Sequence, residues 1–348
     1  SAASDVYKRQ LLMLVLVPLM RTEKLNYQRS WVNNITDTTK GEKMSDLKKY
    51  EGVIPAFYAC YDDQGEISPE RVRALVEYFI AKGVQGLYVN GSSGECIYQS
   101  VADRKLILEE VMAVAKGKLT IIAHVACNNT KDSVELARHA EELGVDAIAA
   151  IPPIYFRLPE YSVAHYWNEI SAAAPNTDFV IYNIPQLAGV ALTPSLYKEM
   201  LKNPRVIGVK NSSMPVQDIQ TFASLGGDDH IVFNGPDEQF LGGRLMGAHA
   251  GIGGTYGAMP ELFLKLNQLI AEKDLETARA LQFAINDIIG VLTSAHGNMY
   301  AVIKAVLRIN EGLDLGSVRS PLTPVVEADQ EVIQRAAQLI QDTKARFL

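Results

Sequence analysis

Short, almost purely apolar runs alternate with longer stretches of helical spacing along most of the chain. The short runs lack the apolar–polar alternation of half-exposed strands, so they predict parallel strands that are buried on both faces. Eight such runs occur, at Val53–Tyr58, Gly86–Val89, Leu119–Val125, Ala147–Ile151, Asp178–Tyr182, Val206–Val209, His230–Phe233 and Ala250–Gly253. The longer stretches between them predict amphipathic helices that cover the sheet.

The segment after the first run shows how such a helix is bounded. Ser68 supplies an N-cap, Pro69 suits the first helical position, and Glu70 adds an early negative charge. Gly83 predicts a left-handed C-cap, and Gly144 has the same role in a later helix. The predicted apolar stripe of the first helix consists of Val72, Leu75, Val76, Phe79 and Ile80.

Eight strand-then-helix units predict an α/β fold, a (β/α)8 TIM barrel with a C-terminal helical extension. The eighth strand should end near Thr255, so residues 44–257 would form the barrel. Residues 258–348 would supply the final barrel helix and the extension, with helices at Pro260–Ala271 and Glu276–Leu292. The same alternation also allows an open doubly wound sheet, but the number of strands favours the closed barrel.

Composition limits the partners of this barrel. The chain has 348 residues, a formal net charge of −7 and no basic run with interleaved aromatic residues, so we expect no nucleic-acid partner. Its three scattered cysteines cannot form a disulfide framework, which favours a reducing cytoplasm. The six histidines lack zinc-site spacing, and the glycine-rich stretch 242–254 lacks the context of a dinucleotide site. We therefore expect no metal and no cofactor.

The first 43 residues differ in pattern from the rest. Two basic residues precede an apolar run at 11–17 that resembles a secretory signal, but it is too short to span a bilayer and lacks a small-residue cleavage pattern. Residues 5–10 resemble a translated sequencing adaptor, and residues 40–43 could be encoded by a ribosome-binding site before Met44. We interpret residues 1–43 as a non-native or disordered leader, and we expect no membrane partner.

Polar residues at the predicted strand ends carry the candidate chemistry, because catalysis in such a barrel occurs at the C-terminal ends of its strands. Lys210 follows the sixth run, where poor hydration should bring its pKa below the free value of about 10.4. A neutral amine attacks ketones to form a Schiff base, although a lysine there could also simply extend into solvent. Tyr182 ends the preceding run and could exchange protons beside Lys210, or be an ordinary core residue.

Three further segments offer binding groups. Ser92 and Ser93, within a glycine-rich turn, could form a nest for a carboxylate, or the turn could be only a tight loop. Asp237 and Glu238 could accept hydrogen bonds from a polyhydroxylated ligand, with helix capping by Asp237 as the alternative. Tyr155 follows the fourth run, where core packing is the default expectation.

Four motifs together resemble the N-acetylneuraminate lyase branch of the dihydrodipicolinate synthase and N-acetylneuraminate lyase superfamily. They are GSSGE at 91–95, YNIP at 182–185, GVK at 208–210 and GPDE at 235–238. The resemblance extends from about Tyr50 to the C-terminus. It implies a cofactor-free Schiff-base (class I) aldolase, a cytoplasmic homotetramer that cleaves N-acetylneuraminate to N-acetylmannosamine and pyruvate.

The resemblance also implies roles for individual residues. Lys210 matches the Schiff-base lysine and Tyr182 the catalytic tyrosine. Ser92 and Ser93 match the hydroxyl pair that binds the keto-acid carboxylate, and Tyr155 matches a tyrosine lent to a neighbouring subunit's site. The other implied substrate-binding residues are Ser212, Gly235, Asp237, Glu238 and Gly254. The two acidic residues among them match those that hold the polyol tail of the sugar.

A few positions bear on the branch of the superfamily. Leu187 stands where dihydrodipicolinate synthases usually carry an arginine for a substrate carboxylate, which disfavours a synthase. Gly254 stands where better-known sialate lyases have a serine, and Pro236 replaces an aromatic residue. Two alternatives stay open: another pyruvate-dependent aldolase, acting on a 2-keto-3-deoxy sugar acid or resembling dihydrodipicolinate synthase, and a non-catalytic barrel that senses a keto acid or sugar.

Overall fold

A computed structural model of the protein describes residues 46–348; the leader predicted at 1–43 and the start predicted at Met44 lie outside the described residues. All eight predicted strands are confirmed, with small shifts at their ends. In chain order, β1–β8 are Gly52–Pro55, Gly86–Val89, Thr120–His124, Ala147–Ala150, Asp178–Asn183, Val206–Asn211, Ile231–Asn234 and Ala250–Gly253.

The strands form a nearly closed barrel. All ladders are parallel, and they join the strands in the order β1-β8-β7-β6-β5-β4-β3-β2. A parallel bridge between Ala56 and Tyr88 connects the two ends of this series, and the backbone N–H of Phe57 donates to the carbonyl of Tyr88 at 2.9 Å. The predicted (β/α)8 barrel is therefore confirmed, and the open doubly wound sheet was the wrong alternative.

Helices cover the outside of the barrel and form a C-terminal extension. In the described part of the chain, α1–α12 are Pro69–Lys82, Val101–Ala115, Thr130–Leu143, Glu160–Ala172, Pro185–Ala188, Pro194–Met200, Gln217–Gly226, Phe240–Leu245, Pro260–Glu272, Leu275–Leu292, Met299–Glu311 and Gln330–Phe347. The helices predicted at 260–271 and 276–292 correspond to α9 and α10. Within residues 46–348, no helix is long and apolar enough to cross a membrane.

Helix α1 has the boundaries that its sequence predicts. The hydroxyl of Ser68 accepts a hydrogen bond from the backbone N–H of Arg71 at 3.3 Å, and Gly83 ends the helix with a φ of 76°. Of the predicted stripe, Val72, Leu75, Val76 and Phe79 are fully buried. The same N-cap and C-cap chemistry therefore determines where this helix begins and ends.

Two apolar layers hold the barrel together, one between strands and helices and one inside the ring of strands. At the N-terminal end of the strands, the hydroxyl of Tyr50 donates to the Asp178 carboxylate at 2.7 Å and to the carbonyl of Asp146 at 2.8 Å. This end is thereby closed by a buried aromatic ring. The opposite end, where the strands terminate, is left for the polar residues of the site.

Candidate active site

Lys210 points into the barrel because strand β6 contains a bulge. Ile207 belongs to the inner apolar layer and Val209 to the outer layer. Strict alternation from Ile207 would place Lys210 on the outer face. The register with β5 shifts here, because Phe179 pairs with Val206 while Val180 pairs with Gly208. The extra residue turns the side chain of Lys210 back toward the barrel interior.

Glycine is required at this bulge. Gly208 has a φ of 153°, and a Cβ atom there would lie 1.8 Å from the backbone oxygen of Ile231. No side chain fits such a close approach of two strands. The glycine of the GVK motif therefore determines the direction of the lysine two positions later.

The Lys210 amine is buried between two aromatic rings. Its Nζ lies 4.2 Å from the ring centroid of Tyr88 and 3.9 Å from that of Tyr182. The residue is 4% exposed, so its side chain does not extend into solvent. Burial lowers the pKa of Lys210 to about 7, against a smaller opposing effect of the Asp237 carboxylate. A large fraction of the amine is therefore neutral and nucleophilic near pH 7.

Tyr182 is the strand partner of Lys210 on β5. Its ring makes edge-to-face contacts with Tyr88 and His124, at centroid distances of 5.7 and 6.1 Å. Burial raises the pKa of Tyr182 to about 12, while hydrogen bonding with Ser92 and Ser212 acts in the opposite direction. The phenol is thus protonated at neutral pH and is connected to two hydroxyl groups, an arrangement that can relay a proton.

The turn after β2 brings the two predicted serines to the barrel mouth. Ser92–Gly94 forms one turn of 3-10 helix, in which Ser93 is buried. The Ser93 hydroxyl donates to the hydroxyl of Tyr300 at 3.1 Å. Tyr300 lies on α11 in the C-terminal extension, far away in sequence. It was missed as a site residue, and no local pattern could have indicated it.

Asp237 lies at the same end of the barrel, after β7. Its Oδ2 accepts hydrogen bonds from the backbone N–H of Thr255 at 2.6 Å and from the Thr255 hydroxyl at 2.5 Å. Burial raises the pKa of Asp237 to about 6, and the bonds from Thr255 oppose this shift. The alternative role as a helix N-cap is wrong, because the carboxylate caps no helix. Glu238, by contrast, is exposed.

The remaining predicted contacts cluster around these groups. The backbone N–H of Ser212 donates to the carbonyl of Asn183 at 2.7 Å. A Cβ atom on Gly235 would lie 2.0 Å from the Ser212 hydroxyl, so the two residues are in direct contact. A Cβ atom on Gly254 would lie 3.2 Å from the Ser93 hydroxyl and 3.5 Å from that of Tyr300.

A buried amide network, which sequence reasoning missed, fixes the ends of β5 and β6. Asn183 donates to the Asn211 side-chain oxygen at 2.7 Å, and Asn211 donates to the Ser213 hydroxyl at 2.9 Å. Asn183 also accepts from the backbone N–H of Leu192 at 2.9 Å. The available signal was an asparagine directly after both Tyr182 and Lys210. The network holds these two strand ends rigidly side by side.

Tyr155 is the one predicted catalytic residue that the structure places elsewhere. It is 89% exposed, has a φ of 84° and stacks edge-to-face on Phe156 at 5.1 Å. Core packing, the default expectation for this position, was wrong. No contact described within residues 46–348 joins Tyr155 to the residues around Lys210.

Known proteins resemble this chain in both sequence and structure. Residues 49–340 match the family model described as the dihydrodipicolinate synthetase family. The chain belongs to this family. The resemblance predicted from the motifs is therefore confirmed over nearly the whole described barrel and extension.

Proteins that resemble this chain include N-acetylneuraminate lyases. The lyase of Mediterraneibacter gnavus is 69% identical over 309 residues, which cover 89% of this chain and 98% of that protein. The lyase of Salmonella agona is 34% identical over 298 residues, covering 86% and 99%. A solved structure of a catalytic lysine mutant of Ruminococcus gnavus sialic acid aldolase has 70% identity and a TM-score of 0.87, covering 88% and 100%.

Metal-ligand clusters are not found in the part of this family member that the structure describes. Within residues 46–348, no group of three or more histidine, cysteine, aspartate or glutamate residues is arranged to hold a metal ion. The polar groups at the barrel mouth are instead hydroxyls, amides and one buried carboxylate around a buried amine. These are groups that bind an anionic, hydroxylated ligand through hydrogen bonds.

Proposed function

We propose that this protein is an N-acetylneuraminate lyase that cleaves its substrate to N-acetylmannosamine and pyruvate through a Schiff base on Lys210. The observation that carries the proposal is the buried Lys210 amine, whose pKa of about 7 leaves it nucleophilic at neutral pH. The 69% identity to the lyase of Mediterraneibacter gnavus supports the choice of substrate.

The polar groups of the barrel mouth suit the two ends of such a substrate. The hydroxyls of Ser92 and Ser93 would bind the carboxylate next to the keto carbon. The carboxylates of Asp237 and Glu238 would accept hydrogen bonds from the hydroxylated tail. The Ser212 hydroxyl would accept a hydrogen bond from it or donate one to it. Gly235 and Gly254 would line the site without side chains of their own, because Gly235 lies against the Ser212 hydroxyl and Gly254 against the Ser93 hydroxyl.

The chemistry begins when the Lys210 amine attacks the keto carbon and water leaves, forming an iminium. Tyr182 accepts the proton from the hydroxyl on carbon 4 while its own phenolic proton passes through the Ser92 hydroxyl to the substrate carboxylate. The bond between carbons 3 and 4 then breaks, and its electron pair forms an enamine as the aldehyde of N-acetylmannosamine is released. Protonation of the enamine at carbon 3 and hydrolysis of the resulting iminium return the free lysine and pyruvate.

A substrate panel tests this assignment directly. We expect N-acetylneuraminate to release pyruvate, detected with a coupled dehydrogenase, much faster than 2-keto-3-deoxygluconate does. The reason is that the acidic pair at Asp237 and Glu238 matches a long polyol tail. The absence of pyruvate release from every sialic acid would contradict the proposal while leaving the family unchanged.

A second candidate is a pyruvate-dependent aldolase for a different sugar acid. Gly254 and Pro236 favour it, because they replace the serine and the aromatic residue expected at the polyol end of better-known sialate lyases. In the structure, the hydroxyls nearest to the position of the missing serine side chain at Gly254 are those of Ser93 and Tyr300. The same panel distinguishes the two candidates by which substrate is cleaved faster.

Schiff-base formation is expected to increase as the pH rises through about 7, because only the neutral amine of Lys210 attacks a ketone and burial lowers its pKa to about 7. The Asp237 carboxylate raises that pKa, so Asp237→Asn should move the midpoint to lower pH. Borohydride trapping of pyruvate between about pH 5 and pH 9, followed by mass spectrometry, measures both midpoints.

Glu238→Gln is the matched control for this pH dependence. Glu238 is the exposed neighbour of Asp237, and the groups that shift the pKa of Lys210 do not include it. Its substitution should therefore leave the midpoint of trapping nearly unchanged. A wild-type midpoint near the free-lysine value of about 10.4, or an upward shift in Asp237→Asn, would contradict the proposed electrostatics.

The assembly and location of the enzyme are also proposed. A homotetramer in which Tyr155 enters a neighbouring subunit's site would account for an 89% exposed tyrosine held in a left-handed backbone conformation beside a second exposed aromatic ring. A cytoplasmic location is supported by three cysteines that form no disulfide with one another.

A further inference from the structure

The turn that carries Ser92 and Ser93 is bounded by two residues in a strained backbone conformation. Asn90 and Glu95 have φ values of 60° and 57°, a left-handed region that non-glycine residues rarely occupy. Such conformations persist where surrounding contacts enforce them. The two residues are both buried, and the side chain of each makes at least one hydrogen bond. The position of the serines therefore depends on how these two ends are anchored.

The first end is anchored within the barrel. The side chain of Asn90 donates to the carbonyl of Arg104 at 2.8 Å. The backbone carbonyl of Asn90 accepts a hydrogen bond from Nδ1 of His124 at 2.9 Å. Both partners lie on neighbouring barrel elements, α2 and β3. This end needs nothing from the C-terminal extension.

The second end is anchored to the C-terminal extension by a buried ion pair. One carboxylate oxygen of Glu95 accepts from Lys304 Nζ at 3.0 Å. The other accepts from the Tyr61 hydroxyl at 2.9 Å and from the backbone N–H of Arg319 at 2.8 Å. The side chains of Glu95 and Lys304 are 0% and 1% exposed. All three donors converge on one fully buried carboxylate.

Helix α11 contacts the turn twice on one face. Lys304 follows Tyr300 by four residues, so the two side chains lie one helical turn apart on the same side. Tyr300 accepts from Ser93 at 3.1 Å, and Lys304 donates to Glu95 at 3.0 Å. Lys304 also donates to the carbonyl of Ser317 at 2.6 Å, which ties it to the segment after the helix. The turn is thereby clamped against the extension.

A fully desolvated ion pair contributes little net stability, because the cost of removing both charges from water offsets their attraction. Replacing a buried ion pair by apolar residues of similar volume is often neutral or stabilising. A charged pair with several directional hydrogen bonds instead fixes one geometry. Here, the fixed element is the backbone that holds the two serine hydroxyls.

We propose that Glu95 and Lys304 are positioning residues for the binding of the keto-acid carboxylate, through which the C-terminal extension sets the placement of Ser92 and Ser93. The proposal rests on the proposed function, because it assigns the carboxylate to this turn. Neither residue contacts the reacting atoms. Loss of the pair should therefore affect capture of the keto acid without changing the Lys210 amine.

The principal test is Glu95→Gln, which keeps the size of the side chain and removes its charge. The pyruvate concentration that gives half-maximal borohydride trapping is expected to increase about tenfold, as for loss of a charge-assisted hydrogen bond. The pH midpoint of trapping should be unchanged, since Glu95 is not among the groups that shift the pKa of Lys210. For the lyase reaction, the factor by which KM increases should be larger than the factor by which kcat decreases.

Lys344→Met provides a matched control. Lys344, on α12, pairs with Glu261 on α9 at 3.0 Å and with Glu311 on α11 at 3.4 Å, so it also joins separate helices through charges. It has no described contact with the serine-bearing turn. Its substitution is expected to lower Tm while leaving half-maximal trapping at the wild-type pyruvate concentration.

Two further variants keep the proposal testable. Tyr61→Phe removes a single hydrogen bond to Glu95 and should increase the half-maximal pyruvate concentration severalfold in a folded protein, even where Glu95→Gln fails to fold. The double variant Glu95→Gln/Lys304→Met removes both buried charges. It should regain Tm relative to Glu95→Gln but keep the weakened pyruvate capture.

The outcomes separate the two hypotheses. A wild-type protein that traps no pyruvate refutes the proposed function itself. Normal trapping by wild type, with an unchanged half-maximal concentration in folded Glu95→Gln or Tyr61→Phe, overturns the positioning role. Recovery of pyruvate capture together with Tm in the double variant overturns it as well, because the pair would then have only a structural role.

Discussion

Replacement of Lys210 by methionine is expected to lower the rate of pyruvate release by about four orders of magnitude or more, because it removes the amine proposed to form the covalent intermediate. Borohydride trapping with pyruvate should be lost completely. Methionine has nearly the same length and fits between the rings of Tyr88 and Tyr182, which now flank a desolvated amine. Tm should therefore stay the same or rise. Coupled pyruvate release, intact mass and calorimetry measure the three effects.

Lys202→Met is the control for this substitution. Lys202 lies on the surface, 70% exposed in its side chain, and pairs only locally with Glu199. Its loss should change neither trapping nor turnover. A Lys210→Met protein that still becomes covalently labelled by pyruvate and borohydride would place the Schiff base on another lysine.

The fold was predictable because its local and global signals agree. A parallel strand that is buried on both faces must be apolar throughout, so the strands appear in the sequence as continuous runs. Two of them, Gly86–Val89 and Ala250–Gly253, begin and end at the predicted residues. The helix signals Ser68 and Gly83 also act locally, through hydrogen bonds to residues within a turn. Such signals need no knowledge of tertiary contacts.

The direction of Lys210 was not predictable in the same way. The sequence places it at a strand end, but strict alternation from Ile207 would point its side chain out of the barrel. A bulge at Gly208 reverses that direction, and the backbones of β6 and β7 approach there too closely for any side chain. That approach depends on how neighbouring strands stagger in the closed barrel. The identity of the lysine was visible in sequence, whereas its orientation came from packing.

The other features that the sequence did not reveal depend mainly on contacts between residues that lie far apart in the chain. Tyr300 and Lys304 lie in the extension, yet they contact the turn that follows β2. Asp237 is not a helix cap because its carboxylate accepts two hydrogen bonds from Thr255, which follows a different strand, β8. Tyr155 projects from the surface, contrary to the expectation of core packing. Neither hydrophobic periodicity nor local motifs encode such long-range pairings.

Tyr182→Phe is expected to lower kcat by about two to four orders of magnitude, because it removes the phenol proposed to take the proton from the substrate hydroxyl. Trapping of pyruvate should persist, since Lys210 keeps its amine and the groups that shift the pKa of Lys210 do not include Tyr182. KM should change little, because Ser92 and Ser93 still offer hydroxyls to the carboxylate. Steady-state pyruvate release and trapping on the same preparation separate bond cleavage from Schiff-base formation.

Tyr197→Phe is the matched control for the loss of a buried phenol. Tyr197 is fully buried on α6, and its hydroxyl has no hydrogen-bond partner among the described residues. Its removal should leave turnover unchanged, so a decrease confined to Tyr182→Phe would identify the proton relay rather than a general effect of tyrosine replacement. Retention of more than about a tenth of wild-type kcat in Tyr182→Phe would contradict the relay, because general acid–base groups contribute far more than that. The hydroxyl of Ser92, which is hydrogen-bonded to Tyr182, would then be the group to substitute next.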